Sequence, residues 1–177
     1  VANQNEIFYR LRMPWVRLLK KNGYEVFAIA PSGAWNKQIE ASGAKYVDWQ
    51  LSRSGRNPIS EIRSVFTLIR ILQQIKPDIV QNFHTKPNIY VPIAAKFAGA
   101  RLSVSTVTGL GYTFVEKSGI GTYFAKRLNL SMYALSNRLA DQVTFQNPDD
   151  LSLLRDNGAL SKTKGQFIPG GSGVDLD

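Results

Sequence analysis

Apolar runs with the length of β-strands alternate along this chain with longer segments that have helical periodicity. The predicted strands are residues 25–30, 44–49, 78–83, 102–107, 142–145 and 166–168. The predicted helices are residues 33–42, 89–97, 120–138 and 148–156, together with one that begins at Leu11 and one that Ser60 caps. Strands that alternate with helices form a parallel sheet whose two faces are both covered. We therefore predict one doubly wound α/β domain over residues 1–177.

Two of the predicted helices have clear apolar faces. The first is predicted to begin at Leu11, because Pro14 fits best in a first helical turn. Its core-facing side chains would be Leu11, Trp15, Leu18 and Leu19, with Arg17, Lys20 and Lys21 on the opposite side. In the helix capped by Ser60, the same spacing predicts a buried face of Ile62, Val65, Phe66, Ile69 and Leu72.

The segment from residue 76 to residue 90 contains the turn around which we expect a site to form. Pro77 ends a helix, and the buried strand that follows ends at Phe83. The next helix is predicted to begin at Ile89, after the polar residues His84, Thr85, Lys86 and Asn88. Ligands of open parallel sheets bind at the carboxyl ends of the strands, where this turn and the later turn at residues 108–112 would meet. His84 is the only histidine of the chain.

Composition excludes several classes of protein. The chain has 177 residues, 44% of them hydrophobic, which is enough for one well-buried domain. It has no cysteine, so disulfides, thiolate metal sites and a cysteine nucleophile are excluded, and a cytoplasmic location fits. No apolar run approaches the ~18 residues of a bilayer-spanning helix, and no cleavable signal peptide is visible. Because the sequence opens at Val1 with what reads as the end of a strand, we expect a fragment.

Basic residues are concentrated in the first 140 positions. These carry 19 Lys and Arg against 7 Asp and Glu, whereas residues 141–177 carry 3 against 6. Such a basic field favours the phosphates of a nucleic acid, a lipid headgroup or a nucleotide, although a merely solubilising surface is the alternative. Because no helix-turn-helix, aromatic RNA platform or metal finger is present, we do not expect nucleic acid as a partner.

Five short blocks, taken in order, resemble the N-terminal half of family 4 glycosyltransferases. They are residues 77–80 (PDIV), 86–90 (KPNIY), 106–112 (TVTGLGY), 145–150 (FQNPDD) and 168–175 (IPGGSGVD). Within the family they are most similar to bacterial enzymes that build capsule, O-antigen or other lipid-linked polysaccharides. The resemblance implies a GT-B architecture, in which two Rossmann-like domains flank a cleft. The sequence would then end where the donor-binding domain begins.

The resemblance also implies a function. The full protein would be a retaining, metal-independent glycosyltransferase of cell-envelope polysaccharide synthesis, working in the cytoplasm at the inner face of the plasma membrane. Its substrates would be a nucleotide-sugar donor, UDP-linked, and a lipid-linked saccharide acceptor. The absent C-terminal domain would bind the donor, whereas residues 1–177 would bind the acceptor. No cofactor and no metal ligands are expected.

The expected site residues follow from the same resemblance. His84 would be catalytic, orienting an acceptor hydroxyl or contacting the donor sugar, unless a strand-end carbonyl simply satisfies it. Cleft and acceptor contacts would come from Arg10, Arg12, Lys86, Asn88, Thr108, Gly109, Gly111 and Tyr112. Donor phosphates would lie beside Asn3, Gln4 and Asn5, in a first loop at residues 3–7 that lacks the family's glycine pair. For Arg10 and Arg12 the alternative is a solvated helix-start charge, and for the two glycines it is a tight turn.

Three other interpretations stay open. Tyr112, Phe114 and the helix at residues 120–138 would form a surface for anionic lipid headgroups, unless the apolar side chains of that helix belong to the core. The protein would otherwise be a non-catalytic basic α/β module that binds a phosphorylated ligand or nucleic acid. The third interpretation is half of a nucleotide-sugar epimerase.

Overall fold

Strands and helices alternate along residues 1–51, 57–110, 120–169 and 171, which this computed structural model describes. The helices are α1 (Asn5–Lys21), α2 (Asn36–Ala41), α3 (Pro58–Ile75), α4 (Thr85–Ala98), α5 (Ile120–Leu139) and α6 (Pro148–Asp156). The strands are β1 (Phe27–Ala30), β2 (Lys45–Asp48), β3 (Ile79–Phe83), β4 (Leu102–Val107), β5 (Gln142–Phe145) and β6 (Gln166–Phe167). Every pairing between these strands is parallel, as the alternation predicts.

The chain divides into two compact units, of which the first comprises residues Val1–Thr67. Its strands β1 and β2 pair from Phe27 opposite Lys45 to Ala30 opposite Asp48. The backbone N–H of Ala2 donates to the carbonyl oxygen of Ile29 at 2.9 Å, so the chain runs beside β1 before it enters α1. The core of this unit contains Ala2, Phe8, Met13, Val16, Ala28, Ile39 and Ala44.

The second unit, residues Leu68–Gly171, contains a four-stranded sheet in the order β3-β4-β5-β6. Helix α4 packs against α5 and against strands β3 and β4. Fully buried side chains come from the strands and from the helices that cover them, among them Val91, Val107, Tyr133, Val143, Phe145 and Leu154. Because β3, β4 and β5 are parallel neighbours, their carboxyl ends lie at the same edge of this sheet.

Lys164 closes the C-terminal end of α5. Its ammonium group donates to the carbonyl oxygens of Asn137 at 3.1 Å and Arg138 at 3.0 Å, and also to that of Ala140. The last carbonyls of a helix have no partner within the helix, and a positive charge there interacts favourably with the helix dipole. A cavity of about 270 Å³ lies beside this contact, lined by α5 and residues 158–164. Lys164 therefore serves a structural role at the sheet edge opposite the strand carboxyl ends.

Helix α1 differs from its prediction in both its start and its buried face. It begins at Asn5, so residues 5–7 are not a loop and Pro14 lies in the helix interior. The buried side chains are Phe8, Arg12, Met13 and Val16. Trp15 and Leu18, which were predicted to face the core, are instead 45% and 55% exposed. The earlier start rotates the buried stripe, because Phe8 becomes its first large anchor.

Helix α3 also starts earlier and turns a different face to solvent. It begins at Pro58, where the side chain of Asn57 accepts a hydrogen bond from the backbone of Ile59 at 3.0 Å, so Ser60 is not the cap. Ile62 and Phe66 were predicted to be buried but are 58% and 60% exposed. By contrast, helix α6 has the predicted bounds, and the predicted cap Asn147 accepts from the backbone N–H of Asp149.

Candidate functional site

Polar side chains gather at the carboxyl ends of strands in each of the two units. In the second unit they lie at the turn between β3 and α4 and at residues 108–110, which follow β4; we call this the His84 site. In the first unit they surround a cavity at the start of α1, which we call the Asn5 pocket. Each is described within its own unit.

His84 has an unusual backbone conformation. Its φ of 75° and ψ of 162° belong to a region that is populated almost only by glycine. The residue precedes α4, whose first helical residue is Thr85, and its side chain makes no capping hydrogen bond. The predicted polar turn at residues 84–88 is therefore wrong in part, because α4 begins four residues earlier than expected. Lys86 lies in the first turn of this helix and is partly exposed.

Asn88 does not line an open cleft. Its side chain is fully buried, with 0% exposure, and donates to the carbonyl oxygen of Thr106 at 3.0 Å. It also accepts a hydrogen bond from the amide of Asn82, which in turn donates to the hydroxyl of Ser105 at 3.2 Å. The prediction that Asn88 projects toward a ligand is thus corrected, because its amide ties the start of α4 to β3 and β4.

The turns after β3 and β4 meet, as the sequence predicted. The hydroxyl of Thr85 donates to the carbonyl oxygen of Gly109 at 3.4 Å. Gly109 has a φ of 148°, and an added Cβ atom would meet no other atom within 4 Å. The glycine is therefore required by its backbone conformation, and none of the described residues fills the space beside it. Thr108 is partly exposed next to it.

Two residues that the sequence analysis missed complete the His84 site. Burial raises the pKa of the phenol of Tyr133, which lies on α5, although the side chain of Thr85 opposes that effect. Burial also raises the pKa of Asp150, although a hydrogen bond from the backbone of Leu110 opposes that effect. Asp150 lies in the first turn of α6, within the block Asn147-Pro-Asp-Asp150 that carried part of the resemblance. That block was the signal in the sequence that pointed to Asp150.

The Asn5 pocket has a volume of about 230 Å³. It is lined by Asn3, Gln4, Asn5, Glu6, Pro31, Ser32, Ala34, Trp35 and Leu51. All three residues that were predicted to lie near donor phosphates therefore border one cavity, although two of them precede α1 and Asn5 begins it. The position of Trp35 in the lining of this pocket was not predicted from the sequence.

Asn36 and Gly33 hold Asn5 in place. The side-chain oxygen of Asn36 accepts from the amide of Asn5 at 2.8 Å and from the backbone N–H of Gly33 at 3.2 Å. A Cβ atom at Gly33 would lie 2.5 Å from the side-chain oxygen of Asn5, closer than real contacts allow. Only glycine at this position lets the loop after β1 approach α1 so closely. The wall of the pocket is consequently fixed before any ligand arrives.

Arg10 and Arg12 have different environments. Arg10 is exposed, pairs with Glu6 at 3.1 Å and lies over the ring of Trp35 at 5.6 Å. The ring of Trp35 also stacks on Tyr9, with 4.8 Å between the two centroids. Arg12 is only 2% exposed, and burial lowers the pKa of its guanidinium to about 10. The alternative of a solvated charge is therefore wrong for Arg12.

Exposed aromatic and apolar groups lie next to basic residues on two helices. On α1 these are Trp15 and Leu18, beside exposed Arg17, Lys20 and Lys21. On α5, Tyr123, Phe124 and Leu128 are 61%, 66% and 62% exposed, so they do not belong to the core. The expected surface residues Tyr112 and Phe114, and the expected cleft residue Gly111, lie outside the described residues.

The family profile described as "Glycosyl transferase 4-like" matches residues 1–147. Because this match covers most of the chain, the protein belongs to that family. The predicted α/β fold of the GT-B glycosyltransferase class is confirmed by the parallel sheets and by three solved structures of similar fold.

A curated relative has a defined lipid-linked substrate. It is the N,N'-diacetylbacillosaminyl-diphospho-undecaprenol α-1,3-N-acetylgalactosaminyltransferase of Campylobacter jejuni, with 29% identity over 150 residues. The aligned region is 85% of this chain but only 40% of that enzyme. The present chain therefore spans less than half the length of this curated relative.

The structural similarities extend over nearly the whole chain. MurG of Acinetobacter baumannii has a TM-score of 0.61 at 14% identity, and the match covers 99% of this chain and 45% of MurG. HepE of Anabaena, solved with UDP and glucose, has a TM-score of 0.65 at 12% identity over 96% of this chain and 43% of HepE. A glycosyltransferase of Rickettsia africae has a TM-score of 0.62 at 18% identity, over 96% of this chain and 41% of that protein. These identities are low, so the similarity concerns the fold alone.

Proposed function

We propose that this chain is the acceptor-binding part of a glycosyltransferase that moves a sugar from a UDP-linked donor to a lipid-linked saccharide in cell-envelope polysaccharide synthesis. The observation that carries the proposal is the sequence similarity to the Campylobacter enzyme, whose acceptor is a saccharide on diphospho-undecaprenol. Membership of the glycosyl transferase 4-like family supports the reaction class. In this proposal the transfer retains the anomeric configuration and needs no metal ion.

The proposal assigns the donor and the acceptor to different parts of the full protein. The relatives are more than twice as long as the region that they share with this chain. A second Rossmann-like domain, encoded downstream, would bind the nucleotide and close the cleft over residues 1–177. The His84 site would then face the acceptor from the carboxyl edge of the β3-β4-β5 sheet, where parallel sheets bind their ligands.

The test of this function is transfer by the full-length gene product. We expect it to transfer a sugar from one member of a UDP-sugar panel to an undecaprenyl-diphosphate saccharide, with undiminished turnover in EDTA and retained configuration by NMR. The 177-residue chain alone should show no turnover, because this proposal places the donor-binding side of the cleft in another part of the full protein. Turnover by the isolated chain would contradict the two-domain assignment, and failure with every UDP-sugar would contradict the choice of donor.

The same function places the enzyme at the cytoplasmic face of the membrane that holds its acceptor. Among the described residues, none of the helices has both the length and the apolar character to cross a bilayer. Contact would instead come from the face of α1 on which Trp15 and Leu18 are exposed beside Arg17, Lys20 and Lys21. Aromatic and basic side chains in this arrangement bind anionic lipid surfaces.

Vesicle binding tests the membrane contact. We expect the protein to bind vesicles that contain anionic lipid and to release them as salt is raised, because each charge near the surface contributes about 1 kcal/mol. Reversal of Arg17, Lys20 and Lys21 to glutamate should weaken this binding by about a hundredfold or more. A matched triple reversal at the exposed residues Lys96, Arg101 and Lys162 should have a much smaller effect. Equal binding to neutral and anionic vesicles would leave these charges as a solvated face only.

A further inference from the structure

The Asn5 pocket combines side chains that suit one chemical class of ligand. Its polar lining consists of the amides of Asn3, Gln4 and Asn5, the hydroxyl of Ser32 and the carboxylate of Glu6. Its apolar lining comes from Pro31, Ala34, Trp35 and Leu51. Amides and hydroxyls donate hydrogen bonds to neutral hydroxyl groups and accept them, and a carboxylate accepts them. An aromatic ring beside these groups packs against the C–H groups of the ligand.

The charge of the lining argues against a phosphate. None of the described residues that line the pocket is lysine or arginine, and its one charged side chain is the acidic Glu6. Arg10 compensates the charge of Glu6, with which it pairs at 3.1 Å, but it is exposed and does not line the pocket. A dianionic phosphate would meet the carboxylate of Glu6 without a matching cation in the lining, whereas a neutral polyol would accept or donate hydrogen bonds there. The positive end of the α1 dipole does not offset this repulsion, because Glu6 itself lies in the first turn of the helix.

The size of the pocket points the same way. Its volume is about 230 Å³, which is below the ~300–1,000 Å³ of sites that enclose a drug-sized ligand. A single sugar ring fits this space better than a nucleoside diphosphate. The lining is also fixed in advance, because Asn36 holds the amide of Asn5 at 2.8 Å and Gly33 packs directly against it. A prearranged wall of this kind reduces the conformational entropy that is lost on binding, which matters for a ligand that binds weakly.

Two amides of the lining, those of Asn3 and Gln4, are not used to cap α1 or to hold Asn5. The oxygen Oδ1 of Asn3 is buried and accepts no hydrogen bond from the described part of the chain. Gln4 is the N-cap residue of α1, yet its side chain makes no capping hydrogen bond. One hydroxyl group of a sugar would supply the donor that Oδ1 of Asn3 lacks among the described residues, and another would bond to the amide of Gln4.

We infer that the Asn5 pocket binds one neutral sugar ring of the saccharide substrate through its hydroxyl groups, and does not hold the phosphates of the donor. This inference rests on the proposed function for the identity of the saccharide, but the binding itself is measurable without transfer. It replaces the expectation that residues 3–5 lie beside donor phosphates.

Tryptophan indole resonances of the 177-residue protein provide the test. The chain has 3 tryptophans, of which Trp35 lines the pocket, while Trp15 lies on the exposed face of α1 and Trp49 is buried. We expect methyl glycosides of hexoses or N-acetylhexosamines, at millimolar concentration, to shift the Trp35 indole N–H signal and leave the other two unchanged. Inorganic pyrophosphate and UDP should neither shift it nor displace the glycoside. A shift with pyrophosphate, or no shift with any glycoside, would overturn the inference.

Matched variants separate the pocket from the rest of the surface. Ala34→Leu should fill the cavity and weaken glycoside binding by at least about tenfold, whereas Ala41→Leu on the exposed side of α2 should not change it. Gln4→Ala should weaken binding about fivefold through one lost hydrogen bond, with Gln38→Ala as its exposed control. Melting temperatures should stay within about 2 °C of wild type for all four, because each position is at the surface or in the pocket.

The outcomes distinguish this inference from the proposed function. Glycoside binding that Ala34→Leu leaves intact, in an enzyme that transfers normally, would refute the pocket assignment and preserve the glycosyltransferase. Glycoside binding that depends on Ala34 and Gln4, in a full-length protein that transfers to no lipid-linked acceptor, would preserve the pocket and refute the proposed function.

Discussion

Replacing His84 by alanine in the full-length enzyme is expected to lower kcat by roughly tenfold to a thousandfold, with little change in the KM for the donor. The physical reason is the loss of a hydrogen bond that strengthens in the transition state, which corresponds to about 1.4 to 4 kcal/mol of barrier. The residue follows the carboxyl end of β3, at the edge where the neighbouring Thr85 contacts the turn at Gly109. An imidazole ring has two nitrogen atoms that can donate or accept a hydrogen bond, so it is suited to orient a hydroxyl group.

The backbone of His84 provides an independent control. Non-glycine residues in this conformation carry about 1 to 3 kcal/mol of strain, so His84→Gly should be more stable than His84→Ala by a similar amount. Both variants lack the ring, and both should lose turnover to a similar extent. Because glycine would be more stable at this position, the presence of histidine is explained by a function of its side chain.

Melting temperature, kcat and KM measured on both variants decide between the two interpretations of His84. Lys96→Ala, at an exposed position of α4, is the control for a substitution outside the site. If alanine lowers the melting temperature by a few degrees and leaves kcat unchanged, His84 is a strand-end group and its catalytic assignment is wrong.

Asn88→Ala is expected to be the most destabilising of the changes considered, at about 2 to 4 kcal/mol of unfolding free energy. The side chain is fully buried, and its loss leaves the carbonyl oxygen of Thr106 and one hydrogen-bonding direction of the Asn82 amide without a partner. Each buried polar group left in this state costs about 1 to 3 kcal/mol. A domain of this size loses about 2 to 4 °C of melting temperature per kcal/mol, so the total should be about 5 to 15 °C.

Thermal or urea unfolding of Asn88→Ala measures this effect, and Gln74→Ala, an exposed amide of α3, is the control. Truncating an exposed amide removes no buried partner, so the control should change the unfolding free energy by no more than about 0.5 kcal/mol. A cost for Asn88→Ala as small as that of the control would mean that the amide is solvated in solution, as a cleft residue would be.

The strands of this fold were predictable because their signals are local. Strand β4 has the predicted bounds, since the apolar positions of residues 102–107 end at Thr108-Gly109, and Gly99 adopts the left-handed conformation that ends α4. Helix starts were harder. The polar residues before Ile89 were interpreted as a turn. The amide of Asn88 is instead buried, because it donates a hydrogen bond to the carbonyl oxygen of Thr106, which lies far along the chain.

The candidate site was predictable only in outline. Parallel strands bring the turns after β3 and β4 to one edge whatever their side chains, and the contact of Thr85 with Gly109 follows from that topology. The roles of Gly33 and Asn36 depend instead on a close approach between two loops, which no local pattern encodes. The burial of Arg12 is a similar case, because a basic residue in a basic segment reads as a surface charge until the start of α1 is known.

The contact of Lys164 with α5 has a consequence for how this part of the molecule opens. One ammonium group accounts for hydrogen bonds to three carbonyl oxygens at the end of that helix, and it belongs to the segment that leads directly into β6. Fraying of the chain from residue 164 onward therefore exposes the last turn of α5 at the same time. We therefore expect the two elements to open as one cooperative unit, so that hydrogen exchange would show their amide protons protected to the same extent.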